Sequence, residues 1–304
     1  MFNCLKRISL FLAIIIIAGC DAQNLYTYAI DYERGRADLE VKSIELDYGQ
    51  ITYLDNGVES DTTIVLLHGF GGDKDNWNRF SAELDGSKRI IIPDLPGHGD
   101  SVLNRELDYS IANQAKMLSI FLDAIKVKQA HIMGNSMGGA IAIRYSVDNS
   151  KRVQTLTLID PLGLRETKSE FELIVESSGS NPMLNVCSEE KFNTLLHFGM
   201  EEPPFIPGMF MDLLVAKKCS RASIEKIVYE GMHRDADLSG ITKNVKVPTI
   251  IIWGKKDRVL HVDNAQLFHR AINGSKLVVL DDIGHVALLE SPEITAQVVE
   301  MFIR

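Results

Sequence analysis

Residues 129–133, Gln129-Ala130-His131-Ile132-Met133, lead directly into Gly134-Asn135-Ser136-Met137-Gly138-Gly139. The first stretch reads as a strand, and residues 137–146, rich in small side chains, read as a helix packed close to it. Only a sharp bend can join the two. Glycines two residues before and after Ser136 remove the Cβ atoms that would collide there, and the serine is left standing proud of the backbone. A chain with such a bend is committed to strand–helix units.

The rest of the chain repeats that unit. Strands are expected near residues 63–67, 89–93, 153–159 and 248–253, with helices at 75–84 and 111–125 and two leading strands at 41–46 and 51–54. Alternation of this kind requires crossover connections, so the expected fold is α/β: a mostly parallel central sheet flanked by helices on both faces. The pattern breaks between about residues 163 and 244. No buried strand is legible there, while helices are expected at 170–176, 189–196, 210–217 and 223–232. The expected organisation is a core of residues 41–162 and 245–304 with a helical cap, 163–244, inserted over the crevice.

An exposed serine on such a bend reads as a nucleophile, which needs a base, and the base needs an acid to orient it. His285 is the expected base. It follows the apolar run Lys276-Leu277-Val278-Val279-Leu280, sits after the turn Asp281-Asp282-Ile283-Gly284, and precedes a helix starting near Pro292. His261 and His269 fall in or near helical patterns, and His197 and His233 in the insert. Asp257 is the expected acid, in the loop after the buried strand ending at Gly254, where open parallel sheets gather catalytic groups. Asp160, which closes the strand 153–159, is its rival. Catalysis also needs donors for the developing oxyanion. The bend His68-Gly69-Phe70-Gly71-Gly72 after strand 63–67 offers the Phe70 N–H, and Met137 offers a second; His68 reads as a scaffold residue.

With these residues in place, the chain resembles the α/β-hydrolase superfamily over about residues 40–304. The stretch His68-Gly69-Phe70-Gly71-Gly72-Asp73-Lys74-Asp75-Asn76-Trp77 is similar to bacterial lipases of the Moraxella and Psychrobacter type and to the ABHD6-like monoacylglycerol lipases. Ile92-Pro93-Asp94-Leu95-Pro96-Gly97-His98-Gly99-Asp100-Ser101 is a further hallmark, read as a structural turn. The resemblance implies a lipid or other acyl-ester substrate and no cofactor. The serine motif also resembles the meta-cleavage C–C bond hydrolases. Those carry Gly-Pro-Gly after the oxyanion strand and Trp after the catalytic His, where this chain has Gly71-Gly72-Asp73 and Val286. A non-catalytic binding protein on this scaffold would typically have lost members of the triad. Relatives acting on alkyl halides or epoxides carry Asp where Ser136 stands.

The 304 residues are 45% hydrophobic, enough for one large core without staples. A net charge of −9, without basic blocks, argues against nucleic acid as a partner. Near the start, Lys6 and Arg7 precede a short apolar run, residues 8–19, which reads as a signal-peptide h-region. It ends in Ile17-Ala18-Gly19-Cys20, which resembles the bacterial lipoprotein box. The implication is a signal peptide at 1–19, lipidation of Cys20, and a lipid-anchored protein of the bacterial cell envelope, with Asp21 resembling an inner-membrane retention signal. Residues 20–40 would form the anchor segment, with a short amphipathic helix from Asn24 presenting Leu25, Tyr28, Ala29 and Tyr32 either to the membrane or to the body. Cys187 and Cys219 are left as a disulfide or two buried thiols, without metal-ligand spacing; no metal is expected. Within the cap, Met209 and Phe210, among prolines and other methionines, form a candidate acyl-binding surface or the cap's own core.

Overall fold

The computed structural model describes residues 21–303. The expected signal peptide and Cys20 lie outside the described residues.

Eight strands form one sheet. They are β1 (Glu40–Leu46), β2 (Gly49–Asp55), β3 (Thr63–Leu67), β4 (Arg89–Pro93), β5 (Ala130–Asn135), β6 (Val153–Ile159), β7 (Thr249–Gly254) and β8 (Lys276–Leu280), in the spatial order β1-β2-β4-β3-β5-β6-β7-β8. β1 pairs antiparallel with β2, and β2 with β4; the other pairings are parallel. Every residue of β3, β5 and β7 is buried. Strands covered on both faces have no solvent side and so lose polar alternation. One face packs against a layer that includes Phe121, Ile141 and Phe268, the other against one that includes Trp77, Phe80 and Val299. Each such side chain contributes about 1.5–3 kcal/mol by leaving water.

The helices begin with α1 (Ala22–Gly35), α2 (Ile111–Ala124) and α3 (Met137–Asp148). Between β6 and β7 come α4 (Glu170–Ser178), α5 (Glu189–Gly199), α6 (Gly208–Ser220) and α7 (Ala222–Met232), with no strand among them. The core closes with α8 (Ala265–Ala271) and α9 (Pro292–Ile303). Local chemistry sets several ends. Ser169 and Glu172 form a reciprocal capping box at the start of α4, and Gly179 ends it in the left-handed conformation. Cys187 and Cys219 are bonded, tying the segment before α5 to the end of α6 across a separation of 32 residues. Closing a loop of that length removes about 3–4 kcal/mol of denatured-state entropy in the chain-entropy view.

Two local expectations are revised. In place of one helix over 75–84 there is a 3-10 turn, Lys74–Trp77, followed by a short helical turn, Asn78–Ser81. The cause is a cap: the Asp73 carboxylate accepts from the Asp75 N–H, while the Asn76 side chain accepts from the Asp73 N–H at 2.7 Å. Of the two alternatives for the N-terminal helix, packing of Tyr28 and Tyr32 on the body is not what is found: the body takes a neighbouring stripe of the helix. Tyr28 and Tyr32 are 73% and 64% exposed. Tyr26, four residues before Ile30 and eight before Arg34, sits on the face turned to the body. Its ring meets Phe210 edge-on at 5.6 Å, and Arg34 grips both oxygens of Asp75 at 2.7 and 2.8 Å.

The register of the parallel strands brings their carboxyl ends into line. Leu67 pairs with Gly134, Asn135 with Ile159, Ile159 with Ile252, and Gly254 with Leu280. Connections run outward in both directions from β3, so the gap between β3 and β5 is a topological switch point. Loops leaving the sheet there cannot cover one another, and a crevice opens.

Candidate active site

Five loops meet in that crevice. The one after β5 consists of Ser136 alone. Its backbone adopts φ 54° and ψ −118°, a conformation that side chains with a Cβ rarely take. The flanking glycines are required by contact. A Cβ on Gly134 would lie 2.2 Å from the Gly138 carbonyl oxygen, and one on Gly138 would lie 2.3 Å from that of Leu67. The Ser136 N–H donates to the Ile159 carbonyl at 3.0 Å, which pins the bend to β6.

His285 and Asp257 come from the loops after β8 and β7. The His285 ring, through Nδ1, is bonded to Asp257 Oδ2 at 2.8 Å, and both residues are buried. The other Asp257 oxygen accepts from the Val259 and Leu260 N–H groups at 2.8 and 2.9 Å. The carboxylate therefore has no freedom to turn from the ring. The His285 loop is held in turn. Its N–H donates to the Gly199 carbonyl at 2.8 Å, and its own carbonyl accepts from the Asn135 side chain at 3.1 Å. Ser136 and His285 line the same cavity. Among the described residues the Ser136 hydroxyl makes no hydrogen bond; catalytic contacts of this kind often tighten only around substrate.

Asp160 stands behind Asp257, without contacting the ring through a hydrogen bond. It is fully buried at φ 46°, and one oxygen accepts from the Gly254 N–H at 2.8 Å. The other has no hydrogen-bond partner among the described residues. Burial, reinforced by the nearby charge of Asp257, pushes its carboxyl well above the usual carboxylate range, which favours the neutral form. Ligand-type atoms of Asp160, Asp257 and His285 lie within 4.8 Å of one another. Asp257 already spends both oxygens on the ring and the backbone, and burial favours the neutral form of Asp160, so the cluster lacks the free, charged oxygens that a cation needs.

The bend after β3 faces Ser136 from across the switch point. Gly72 N–H closes it onto the Gly69 carbonyl at 3.2 Å, with Gly71 at φ 71°. A Cβ on Gly69 would lie 3.2 Å from the Ser136 Cβ, so the bend comes close only because Gly69 has none. Among the described residues, neither the Phe70 nor the Met137 N–H has a main-chain acceptor. His68 braces the loop from beneath: Nε2 accepts from the Leu95 N–H at 3.0 Å, leaving Nδ1–H to donate to the Gly69 carbonyl at 2.8 Å. Burial lowers its pKa to about 4, which keeps the ring neutral for both bonds. An ion cluster centred on the buried Lys74 and Asp94 lies next to it. Lys74 Nζ meets Asp94 at 2.9 Å and Asp100 at 2.6 Å. A Cβ on Gly99 would fall within 2.1 Å of the Asp94 carboxylate, so the 92–101 segment is a structural turn built around that aspartate.

The cavity above Ser136 has a volume of about 250 Å³. Its apolar wall comes chiefly from α5 (Phe192, Leu195, Leu196, Phe198), joined by Val286 and Leu289 after His285. Met209 and Phe210, the sequence-based candidates for that wall, do not line it. Met209 is half exposed, and Phe210 turns away toward Tyr26 of α1. They were singled out by composition, whereas the position of a side chain around its helix decides what it touches. The i, i+3, i+4 spacing of Phe192, Leu195 and Leu196 was the available signal. Asn135, which ties the His285 loop to β5, carried no such signal.

Residues 62–182 match the family described as alpha/beta hydrolase fold. Lipase 1 of Psychrobacter immobilis is 32% identical over 279 residues, covering 90% of this chain and 87% of the relative. The chain belongs to the alpha/beta hydrolase family. Lipase 3 of Moraxella sp. (strain TA144) is likewise 32% identical to this hydrolase, over 303 residues and 96% of each chain. The crystal structure of a membrane phospholipase A, described as a bacterial virulence factor, superimposes on the hydrolase with a TM-score of 0.90 at 33% identity. It covers 100% of this chain and 98% of that one. Kinship with the lipases is thus what the His68–Trp77 stretch implied.

Proposed function

We propose that this hydrolase is a lipase or esterase that cleaves carboxylic esters of fatty acids through an acyl-enzyme on Ser136. The observation that carries the reading is the His285–Asp257 pair, locked at 2.8 Å, opening with Ser136 onto one apolar cavity. His285 takes the proton as Ser136 attacks the ester carbonyl. Phe70 and Met137 N–H groups receive the oxyanion, each worth roughly 3–4 kcal/mol in the transition state. His285 then protonates the departing alcohol and activates the water that releases the fatty acid. Asp257 orients the ring without taking the proton. The segment 163–244 acts as a cap whose α5 wall selects the acyl chain. The lipase names of the relatives support the ester class. C–C bond hydrolysis is the second reading, opposed by Gly71-Gly72-Asp73 and by Val286.

A series of p-nitrophenyl esters of increasing chain length, with mono- and triacylglycerols, tests this. Turnover of acyl esters with an optimum set by the α5 wall is expected. Absence of ester turnover alongside cleavage of a vinylogous diketone would transfer the assignment to the C–C reading.

For location, we infer the bacterial envelope, with a lipid anchor on Cys20. The Ile17-Ala18-Gly19-Cys20 box and a membrane phospholipase among similar structures support this. Among the described residues no helix is long and apolar enough to cross a membrane. Labelled palmitate should enter the wild-type protein and not Cys20→Ser; equal incorporation would remove the anchor.

A further inference from the structure

A second cavity, also about 250 Å³, lies on the other side of the Gly71–Gly72 bend and shares those two glycines, Asn76, Phe192 and Lys218 with the first. Its character differs: three cations from the end of α6 and the residue after it, Lys217, Lys218 and Arg221, line it. Two are neutralised. Lys217 pairs with Asp73 at 2.8 Å and Lys218 with Glu225 at 2.7 Å, while the remaining carboxylate in the lining, Asp75, is held by Arg34. Among the described residues Arg221 forms no ion pair, and its buried Nη1 has no hydrogen-bond acceptor. In the same cavity Glu225 Oε2 is buried with no donor. Unsatisfied groups of this kind are costly, more so where charged, unless something fills the space.

The two orphans specify a ligand by complement: an anion for the guanidinium and a hydroxyl for the carboxylate oxygen. The two cavities divide a substrate in the same way. The apolar one suits an acyl chain, and the cationic one, reached over the glycine bend, suits the alcohol that leaves. We propose that the cavity around Arg221 is a subsite for the phosphoglycerol part of an acyl-glycerophosphate substrate, with phosphate on Arg221 and a glycerol hydroxyl on Glu225. Arg221 binds a phosphate oxygen through the buried Nη1, in charge-assisted geometry that a planar guanidinium favours. Lys217 and Lys218 are already paired, so the charge left for an anion is that of Arg221. Lys218 is close enough to the bend that a Cβ on Gly71 would lie 2.5 Å from its ammonium nitrogen. A Cβ on Gly69 would lie 3.2 Å from the Ser136 Cβ, so the bend that the two cavities share also faces the nucleophile. The subsite rests on the ester-hydrolase reading and deepens it, naming phosphate-bearing acyl esters as a substrate class.

Calorimetric titration of the full-length protein with glycerol 3-phosphate, and separately with inorganic phosphate, reads the subsite without turnover. Wild type should bind glycerol 3-phosphate more tightly than phosphate. Arg221→Gln should weaken it about tenfold or more, and Arg221→Lys should keep most of it. In turnover, the ratio of kcat/KM for 1-acylglycerol 3-phosphate to that for the same 1-acylglycerol should fall about tenfold in Arg221→Gln, a loss equivalent to about 1.4 kcal/mol. No binding of glycerol 3-phosphate by wild type, or equal binding of phosphate, overturns the subsite. So does a ratio unmoved by loss of the guanidinium. Failure of wild type to hydrolyse either lipid would instead remove the ester-hydrolase reading, with calorimetry still deciding the subsite.

Discussion

Ser136→Ala is expected to lose about 10⁶-fold in kcat on a short acyl ester while keeping the fold, because removing the nucleophile of a cooperating triad costs about as much as removing all of it. Stability should separate from activity in a companion variant. The φ 54°, ψ −118° conformation of Ser136 costs about 1–3 kcal/mol for a residue with a Cβ. Glycine relieves that strain, against about 0.5–1 kcal/mol of extra unfolded-state entropy. Ser136→Gly should therefore be inactive and more stable than wild type by about 1 kcal/mol, measured by urea unfolding. Ser136→Ala keeps the Cβ and should unfold near the wild-type midpoint. If either variant retains near-normal ester turnover, Ser136 is not the nucleophile.

The second large effect separates the two buried aspartates. Asp257→Asn keeps the shape but places an amide where the ring needs an acceptor, which favours the wrong imidazole tautomer. A loss of about 10⁴-fold in kcat is expected. Asp160 is different because burial and the charge of Asp257 raise its carboxyl pKa and so favour the neutral form. Asparagine is close to an isostere of a protonated aspartic acid. Its amide oxygen can still accept from the Gly254 N–H, and its NH₂ supplies the hydrogen that the acid carried. Asp160→Asn should therefore lose less than about tenfold in kcat. Side-by-side kinetics on one ester decide it. If Asp160→Asn is crippled and Asp257→Asn is not, the catalytic acid is the residue after β6.

Residues 129–139 show how a pattern becomes legible. The strand, the bend and the following helix each leave a local mark, and the mark survives because glycine is demanded at 134 and 138 by contacts of 2.2 and 2.3 Å. His285 was legible for a related reason: it closes an apolar run of strand length and precedes a clear helix start. The acid was harder. Asp160 directly follows β6 and Asp257 lies in the loop after β7, so both stand at the carboxyl end of a buried strand and the local pattern favours Asp257 without excluding its rival. Their difference is made by Val259 and Leu260, whose N–H groups aim Asp257, and by Gly254, which turns Asp160 aside.

The α/β alternation, the helical insert, the expected nucleophile and base, and the kinship with lipases were all written in local patterns, because hydrophobic periodicity and glycine at a sharp bend act over a few residues. The tertiary structure decided what depends on direction across long separations. It joined Cys187 to Cys219, made α5 and not Met209 and Phe210 the wall above Ser136, and turned Tyr26 and Arg34 inward while leaving Tyr28 and Tyr32 exposed. Among the described residues it also left Arg221 without a carboxylate. Which partner a side chain finds is set by the rotation of its helix and by what the far end of the chain brings alongside, and no window of neighbouring residues encodes either.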